Sequence, residues 1–326
     1  MVISQRSCSN THTWLVAASI VLCHHVALSF AGEPHEAMRR TLAWQIALEN
    51  EGFSPGIIDG RTGRKTETAT REFQRARGLA VTGALDSATA ATLQVKPELA
   101  VILYCVRPDD VTDIGELPTD WLDKSKKKRL SYESAEAALA EKFHCSRALL
   151  TQLNPGRNFS LIKAGDVLQV PRMADTPTTR RGQTVEIDLG EKTIRVMSPQ
   201  GNVVGLFHCS VAAKKSHLPS GTAHVEVITP NPTYLFDPKM WPEVKGIDRK
   251  LLIPPGPRNP VGLCWIGLSL PGYGIHGTPQ PEMIGKTGSH GCIRLTNWDA
   301  IRLARMIAPG TSIRFISNGG VATSKR

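Results

Sequence analysis

The chain has 326 residues, too many for one small domain, and a hydrophobic fraction of 41% that can fill proper cores. Its formal charge of +10 and sequence pI near 9.4 favour an acidic partner. No aromatic-interleaved basic motif, zinc-finger spacing or recognition helix is present, which argues against nucleic acid; an anionic polymer outside the cytoplasm fits the charge equally well.

Arg6 precedes an apolar run over residues 14–30, which ends in Ser29-Phe30-Ala31 before Gly32. A basic start, a short apolar core and a small-x-small site predict a secretory signal peptide over 1–31, cut after Ala31. Cys23-His24-His25 interrupts the run and makes it a poor permanent span. Leu22 stands where a lipoprotein site at Cys23 would want a small residue. A retained N-terminal anchor is the alternative, and either reading puts the remainder outside the cytoplasm, in the periplasm or cell envelope. Seven cysteines are present, and Cys8 and Cys23 leave with the signal. The odd set that remains predicts at least one unpaired thiol in an oxidising compartment, with Cys292 the obvious one. Cys105 and Cys145 are candidates for a bridge, and the sequence leaves that open.

Residues 36–95 read as a three-helix bundle. Leu42 and Ile46 recur at helical spacing, followed by a turn-rich link through Gly52-Phe53-Ser54-Pro55-Gly56 and Asp59-Gly60. A second helix over about 65–77 buries Ala69 and Phe73 and is capped by Gly78; Asp86 N-caps a third. This segment resembles the peptidoglycan-binding domain of cell-wall hydrolases through Gly52-Phe53, Pro55-Gly56, Ile58-Asp59-Gly60, Gly63, Thr66, Ala69, Phe73-Gln74, Gly78-Leu79, Thr82-Gly83 and Leu85-Asp86.

Residues 100–172 read as strand (101–106), helix (135–143), helix (145–153), strand (167–170). The unit resembles a LysM glycan-binding module through Val106-Arg107-Pro108-Asp109-Asp110, Leu139-Ala140-Glu141-Lys142-Phe143, Leu150, Leu153-Asn154-Pro155, Ile162, Gly165-Asp166, Leu168 and Val170-Pro171. It departs from that pattern by an insertion over about 113–130, whose run Lys124-Ser125-Lys126-Lys127-Lys128-Arg129 is expected to be a solvated loop. Residues 173–182 read as a linker.

From 183 to 317 the texture changes to alternating strands with Gly and Pro turns. One helix is expected over 297–307, N-capped by Thr296 or Asn297 and stopped by Pro309-Gly310, with a last strand over 312–316. The expected fold is a mostly antiparallel β sandwich or barrel with one short helix, within a multidomain chain that ends in a tail over 318–326.

The chemistry is concentrated in Gly274-Ile275-His276-Gly277-Thr278 and, sixteen positions from His276 to Cys292, in Ser289-His290-Gly291-Cys292-Ile293-Arg294-Leu295. A thiol is a weak nucleophile until a base takes its proton, and histidine is poised for that near neutral pH. The glycines leave backbone amides near Gly291 and Cys292 open to hold an oxyanion. A zinc site of His276, His290 and Cys292 lacks the tight paired spacings that structural zinc favours. A structural Cys–His pair in a core sits poorly with the flanking glycines and polar Ser289.

With Pro219-Ser220-Gly221-Thr222, Ile284-Gly285 and Gly310-Thr311, these two segments resemble the L,D-transpeptidase catalytic domain over 183–317. The resemblance implies cross-linking of peptidoglycan stem peptides through a thioester on Cys292, with His276 as base and the Gly277 carbonyl orienting it. It further implies that Gly291, His290 and Ser289 shape the acyl pocket, that Arg294 steadies the loop or a carboxylate, and that no metal or organic cofactor is needed. Trp265, Tyr273 and Trp298 are candidates for the cleft lining or for core. Implied partners are peptidoglycan, with a lipoprotein lysine among the possible acceptors, and beta-lactams (carbapenems) as inhibitors. The alternatives are an L,D-carboxypeptidase and a catalytically silent wall-binding protein.

Overall fold

The computed structural model describes residues 36–174, 180–241, 243–289 and 291–317. The expected signal peptide, the tail and His290 lie outside these residues, as does half of the expected linker, 175–179. Three helices open the described chain: α1 (Glu36–Asn50), α2 (Arg64–Ala76) and α3 (Ser87–Leu93). Two buried glutamines tie their turns. Gln45 Nε2 donates to Asp59 Oδ1 at 3.0 Å while its Oε1 accepts from the Gly60 amide at 2.9 Å. Gln74 serves the second turn in the same way, donating to Thr89 Oγ1 at 2.8 Å and accepting from the Gly83 amide at 2.9 Å. Asp86 caps α3 through the Thr89 amide at 2.8 Å, as expected of an N-cap.

The second unit has β1 (Val101–Cys105), α4 (Asp109–Thr112), α5 (Trp121–Lys126), α6 (Ala135–Lys142), α7 (Arg147–Leu153) and β2 (Val167–Pro171). β1 and β2 pair antiparallel from Val101↔Pro171 to Cys105↔Val167. Ser134 and Ser146 cap α6 and α7 through the Ala137 and Leu149 amides, both at 3.1 Å. Cys105 is exposed, Cys145 is buried, and both are free thiols.

The insertion differs from its expectation. Residues 121–126 form α5, and Trp121 stacks on Phe236 with ring centroids 4.4 Å apart. A solvated loop was the reading because the basic run dominates the composition. Lys126, Lys127 and Lys128 do face out, but Lys124 lies over the Trp121 ring at 5.0 Å, and that tryptophan carries the packing.

The C-terminal region contributes β3 (Thr184–Asp188), β4 (Thr193–Met197), β5 (Val203–His208), β6 (Thr222–Pro230), β7 (Tyr234–Phe236), β8 (Leu251–Ile253), β9 (Cys264–Leu268), β10 (Gly274–His276), β11 (Ile293–Arg294), α8 (Asn297–Met306) and β12 (Ser312–Ile316). Eight of these strands form one sheet in the order β11-β10-β9-β6-β12-β3-β4-β5, while β7 and β8 pair separately. β3–β12 and β10–β11 are parallel and the other pairs antiparallel. β6 joins the two halves: its start pairs with β12, and from Val225 on it pairs with β9, with a register shift between Val225 and Val227. Such irregularities bend a strand. The sheet curls until its edges meet, with Ser210, just beyond β5, exchanging both backbone bonds with Arg294 of β11 at 2.9 Å. The sandwich or barrel expectation is thus met by a single curled sheet, with Ala300, Leu303 and Met306 of α8 filling its core.

The helical units are not beads on a string. Leu206 of β5 is buried in one cluster with Trp44, Leu48, Phe53 and Phe73. The Leu206 amide donates to Gly52 O and the Ser54 amide to Leu206 O, both at 2.9 Å, so residues 52–54 cover β5. Gly52 has φ +93, and a Cβ there would stand 3.1 Å from Val204 O. Glycine is the residue that accepts both constraints.

Candidate active site

His276 and Cys292 are placed by two neighbouring parallel strands. The register pairs Ile275 with Ile293 and His276 with Arg294. Cys292 stands in the bend immediately before β11, two residues ahead of the Arg294 that pairs with His276. His276 and Cys292 line a cavity of about 690 Å³, together with Trp265, Gly288, Ser289, Gly291 and Arg294.

His276 is 6% exposed. Its Nδ1 lies 2.6 Å from Gly277 O, and a carbonyl can only accept, so Nδ1 carries the proton and Nε2 is the basic nitrogen. Burial lowers the ring pKa to about 4; the Gly277 bond opposes that and the Arg294 charge adds to it. Trp265 of β9, paired with His276 in register, stacks on the ring at 5.7 Å between centroids. The Cys292 thiol is half-buried and sits 3.7 Å from Gly272 O. Burial pushes it above the usual thiol range, while the Gly274 amide and Arg294 pull it down. At rest the pair is therefore neutral thiol and neutral imidazole. Desolvation of the ring disfavours an imidazolium that would steady a resting thiolate.

Ser289 Oγ donates to Cys292 O at 2.5 Å and accepts from the Gly291 amide at 3.2 Å, a brace across the turn that carries the sulfur. The Gly291 amide is thus engaged with Ser289 within the loop, while Gly291 itself lines the cavity. Ser289 is itself held to the strand extension after β5, its amide donating to Val211 O at 2.9 Å. Arg294 donates to Thr287 O and Oγ1, each at 3.3 Å, and to Gly288 O. It steadies the loop, and its Nε is buried without a partner among the described residues. Among the described residues no group of three or more His, Cys, Asp or Glu is arranged to hold a metal.

Of the three candidate aromatics, Trp265 lines the cavity. Tyr273 lies beside Gly291 and donates its hydroxyl to His217 O at 3.1 Å. Trp298 belongs to packing elsewhere, stacked on His144 at 5.1 Å. The sequence reading missed two contributors. Tyr234, Leu235, Met240 and Trp241 form a wall of the cavity; an aromatic-rich segment lacking the alternation of its neighbours was the available signal. Asn297 leaves the cap to Thr296 and turns inward. It donates to Glu141 Oε1 at 2.9 Å and Pro257 O at 3.1 Å, and accepts from the Leu263 amide at 3.0 Å. A Cβ on Gly277 would stand 2.2 Å from its Oδ1, so glycine lets Asn297 pack against the backbone that orients His276.

Comparison with known proteins gives two family matches. Residues 182–315 match the L,D-transpeptidase catalytic domain, and residues 41–93 match a model described as a peptidoglycan binding domain. A relative from Bacillus licheniformis, by name an L,D-transpeptidase, YkuD, is 30% identical over 178 residues, 54% of this chain and 90% of that protein. A relative from Escherichia coli K12, by name an L,D-transpeptidase, YbiS, is 28% identical over 231 residues, 69% of this chain and 72% of that protein. Among solved structures, an L,D-transpeptidase from Xylanimonas cellulosilytica is 16% identical with a TM-score of 0.36, covering 87% of this chain and 94% of that one.

Proposed function

The chain belongs to the L,D-transpeptidase family, and from that premise we propose that it is a cysteine acyltransferase of the cell envelope, with Cys292 as nucleophile and His276 as base. The observation that carries this reading is the shared cavity: a neutral imidazole with Nδ1 fixed on Gly277 O, and a thiol on the turn that leads into the adjoining strand.

Cys292 Sγ attacks the carbonyl between the L-centre of the donor diamino acid and the terminal D-alanine, and His276 Nε2 takes the thiol proton as the bond forms. Because both groups rest neutral, proton transfer accompanies attack and does not precede it. The oxyanion is held by backbone amides beside the sulfur, Gly274 among them; such a donor is worth about 3–4 kcal/mol. D-Alanine departs with the proton from the imidazolium, leaving a thioester on Cys292. The amine of a second stem attacks the thioester, His276 takes its proton, and the thiol is released. Water in place of the amine gives the carboxypeptidase outcome.

Residues 36–95 and 100–172 are read as wall-contacting units that bring the catalytic region to an immobile polymer. The exported location follows the reading of residues 1–31 as a signal or anchor. The acceptor amine is left open between a second stem, a free D-amino acid and a lipoprotein lysine. Beta-lactams, carbapenems in particular, are expected to acylate the same sulfur.

The experiment is incubation of the purified protein with a disaccharide tetrapeptide and analysis of products by mass. A cross-linked dimer supports transpeptidation. Loss of the terminal residue alone moves the reading to carboxypeptidase, and unchanged substrate moves it to a wall-binding protein.

A further inference from the structure

Among the described residues β7 and β8 have no ladder bonds to the main sheet, yet their hairpin supplies Tyr234, Leu235 and, from the following turn, Met240 and Trp241 to the cavity that holds Cys292. An isolated two-stranded hairpin is marginal in water and needs a packing partner. Its apolar inner face is Phe236, Leu251 and Ile253, all buried. In that cluster every residue from outside the hairpin segment comes from the insertion at 113–130, namely Leu117, Trp121 and Leu130. Trp121 stacks on Phe236 at 4.4 Å and meets Trp241 at 5.5 Å and Tyr234 at 6.1 Å. The far end of the insertion is clamped by backbone: the Leu130 amide donates to Pro255 O at 2.9 Å and its carbonyl accepts from the Arg258 amide at 3.1 Å. A Cβ on Gly256 would stand 2.3 Å from Leu130 O, so only glycine lets the two segments approach this closely. Arg129 reaches Asn231 Oδ1 at 3.2 Å, next to the cavity-lining Pro232.

We propose that the insertion of the second unit is a positioning element of the donor cleft, in which Trp121 holds the β7–β8 hairpin as the wall that the stem peptide binds against. The claim rests on the proposed function for its substrate. Trp121 touches no reacting atom; it acts through Phe236 and Trp241. The consequence is that the donor site is completed by a segment from outside the catalytic region. The unit that would engage the wall and the unit that performs the chemistry are joined at the substrate wall itself.

The test compares the full chain with Trp121→Ala and Trp121→Phe in three measurements: amide exchange across 234–253, alkylation of Cys292 by iodoacetamide, and steady-state kinetics with the tetrapeptide donor. A wall that binds ground and transition states alike predicts that Trp121→Ala raises KM by about tenfold or more with kcat within about twofold. Exchange in the hairpin should quicken, alkylation should stay as in the unsubstituted chain, and Trp121→Phe should restore KM. Unchanged hairpin exchange or unchanged KM overturns the proposal, as does loss of iodoacetamide labelling, which would mark a global effect. If Trp121→Ala does not fold, Leu117→Ala, at the edge of the same cluster, is read by the same criteria. An unsubstituted chain that fails to turn over the peptide contradicts the proposed function instead, and the exchange measurement then decides the positioning claim alone.

Discussion

The imidazole of His276 lies against the indole of Trp265, with ring centroids 5.7 Å apart and planes 22° apart. The indole removes water from one face of the ring, and burial is the largest cause of its pKa of about 4, against 6.5 in water. Protonation below that value disables the base, so the acid limb of the acylation profile is expected near pH 4. Trp265→Ala admits water, and the limb should move up toward 6.5. The pH dependence of kcat/KM for the two proteins measures this, and a stationary limb would show that other walls keep the ring dry.

Arg294 spans from the paired strand to the carbonyls of Thr287 and Gly288, and its charge favours thiolate over thiol at Cys292. Arg294→Gln should slow acylation by about tenfold to hundredfold, equivalent to about 1.4–2.8 kcal/mol. It should also move the midpoint of Cys292 alkylation to higher pH. Pre-steady-state acylation and a labelling-versus-pH series read the two effects separately.

A neutral resting pair changes what thiol labelling means. Iodoacetamide reports thiolate present before encounter, whereas acyl transfer draws the proton off during attack. Labelling of Cys292 is therefore expected to climb on the alkaline side of a free thiol's range. His276→Ala should leave that climb in place and reduce acyl transfer by a factor of about 10² to 10⁴, the contribution typical of a positioned base.

Stability carries a second pH signature where the first helix meets α8. Burial, with the nearby Glu49 charge, raises Asp299 to about 7 from 3.8. A group whose folded pKa lies above its unfolded value contributes stability that is complete below the unfolded pKa and is lost as pH rises through the folded one. Burial raises Glu49 too, but Arg302 and His144 outweigh it and hold that carboxyl below 4.5, so its contribution is lost only in acid. Between about pH 5 and pH 8 the difference between the unsubstituted chain and Asp299→Asn therefore isolates Asp299. The unsubstituted chain should lose stability relative to the variant as pH rises, measured by urea denaturation at each pH.

Local signals were readable and distant ones were not. The Asp86 cap, the Thr296 cap and the alternation in Thr184–Asp188 are written within a few residues, and the structure has a helix or strand at each. The pairing of β12 with both β3 and β6 joins segments far apart in sequence, which periodicity does not encode. His276 and Cys292 stood out because their glycine-rich surroundings differ from core strands. Their resting protonation did not, because it depends on how completely Trp265 and the cavity walls exclude water. Trp121 was hidden by the lysines that follow it, since composition does not show that Lys124 folds back over its ring.

The most direct measurement is intact-protein mass analysis after brief mixing with a tetrapeptide donor, followed by mapping of the modified residue. The account predicts an adduct equal to the donor minus D-alanine on Cys292, released by an added amine and missing from Cys292→Ala. Turnover that persists in Cys292→Ala, or an adduct mapped to another side chain, would contradict it.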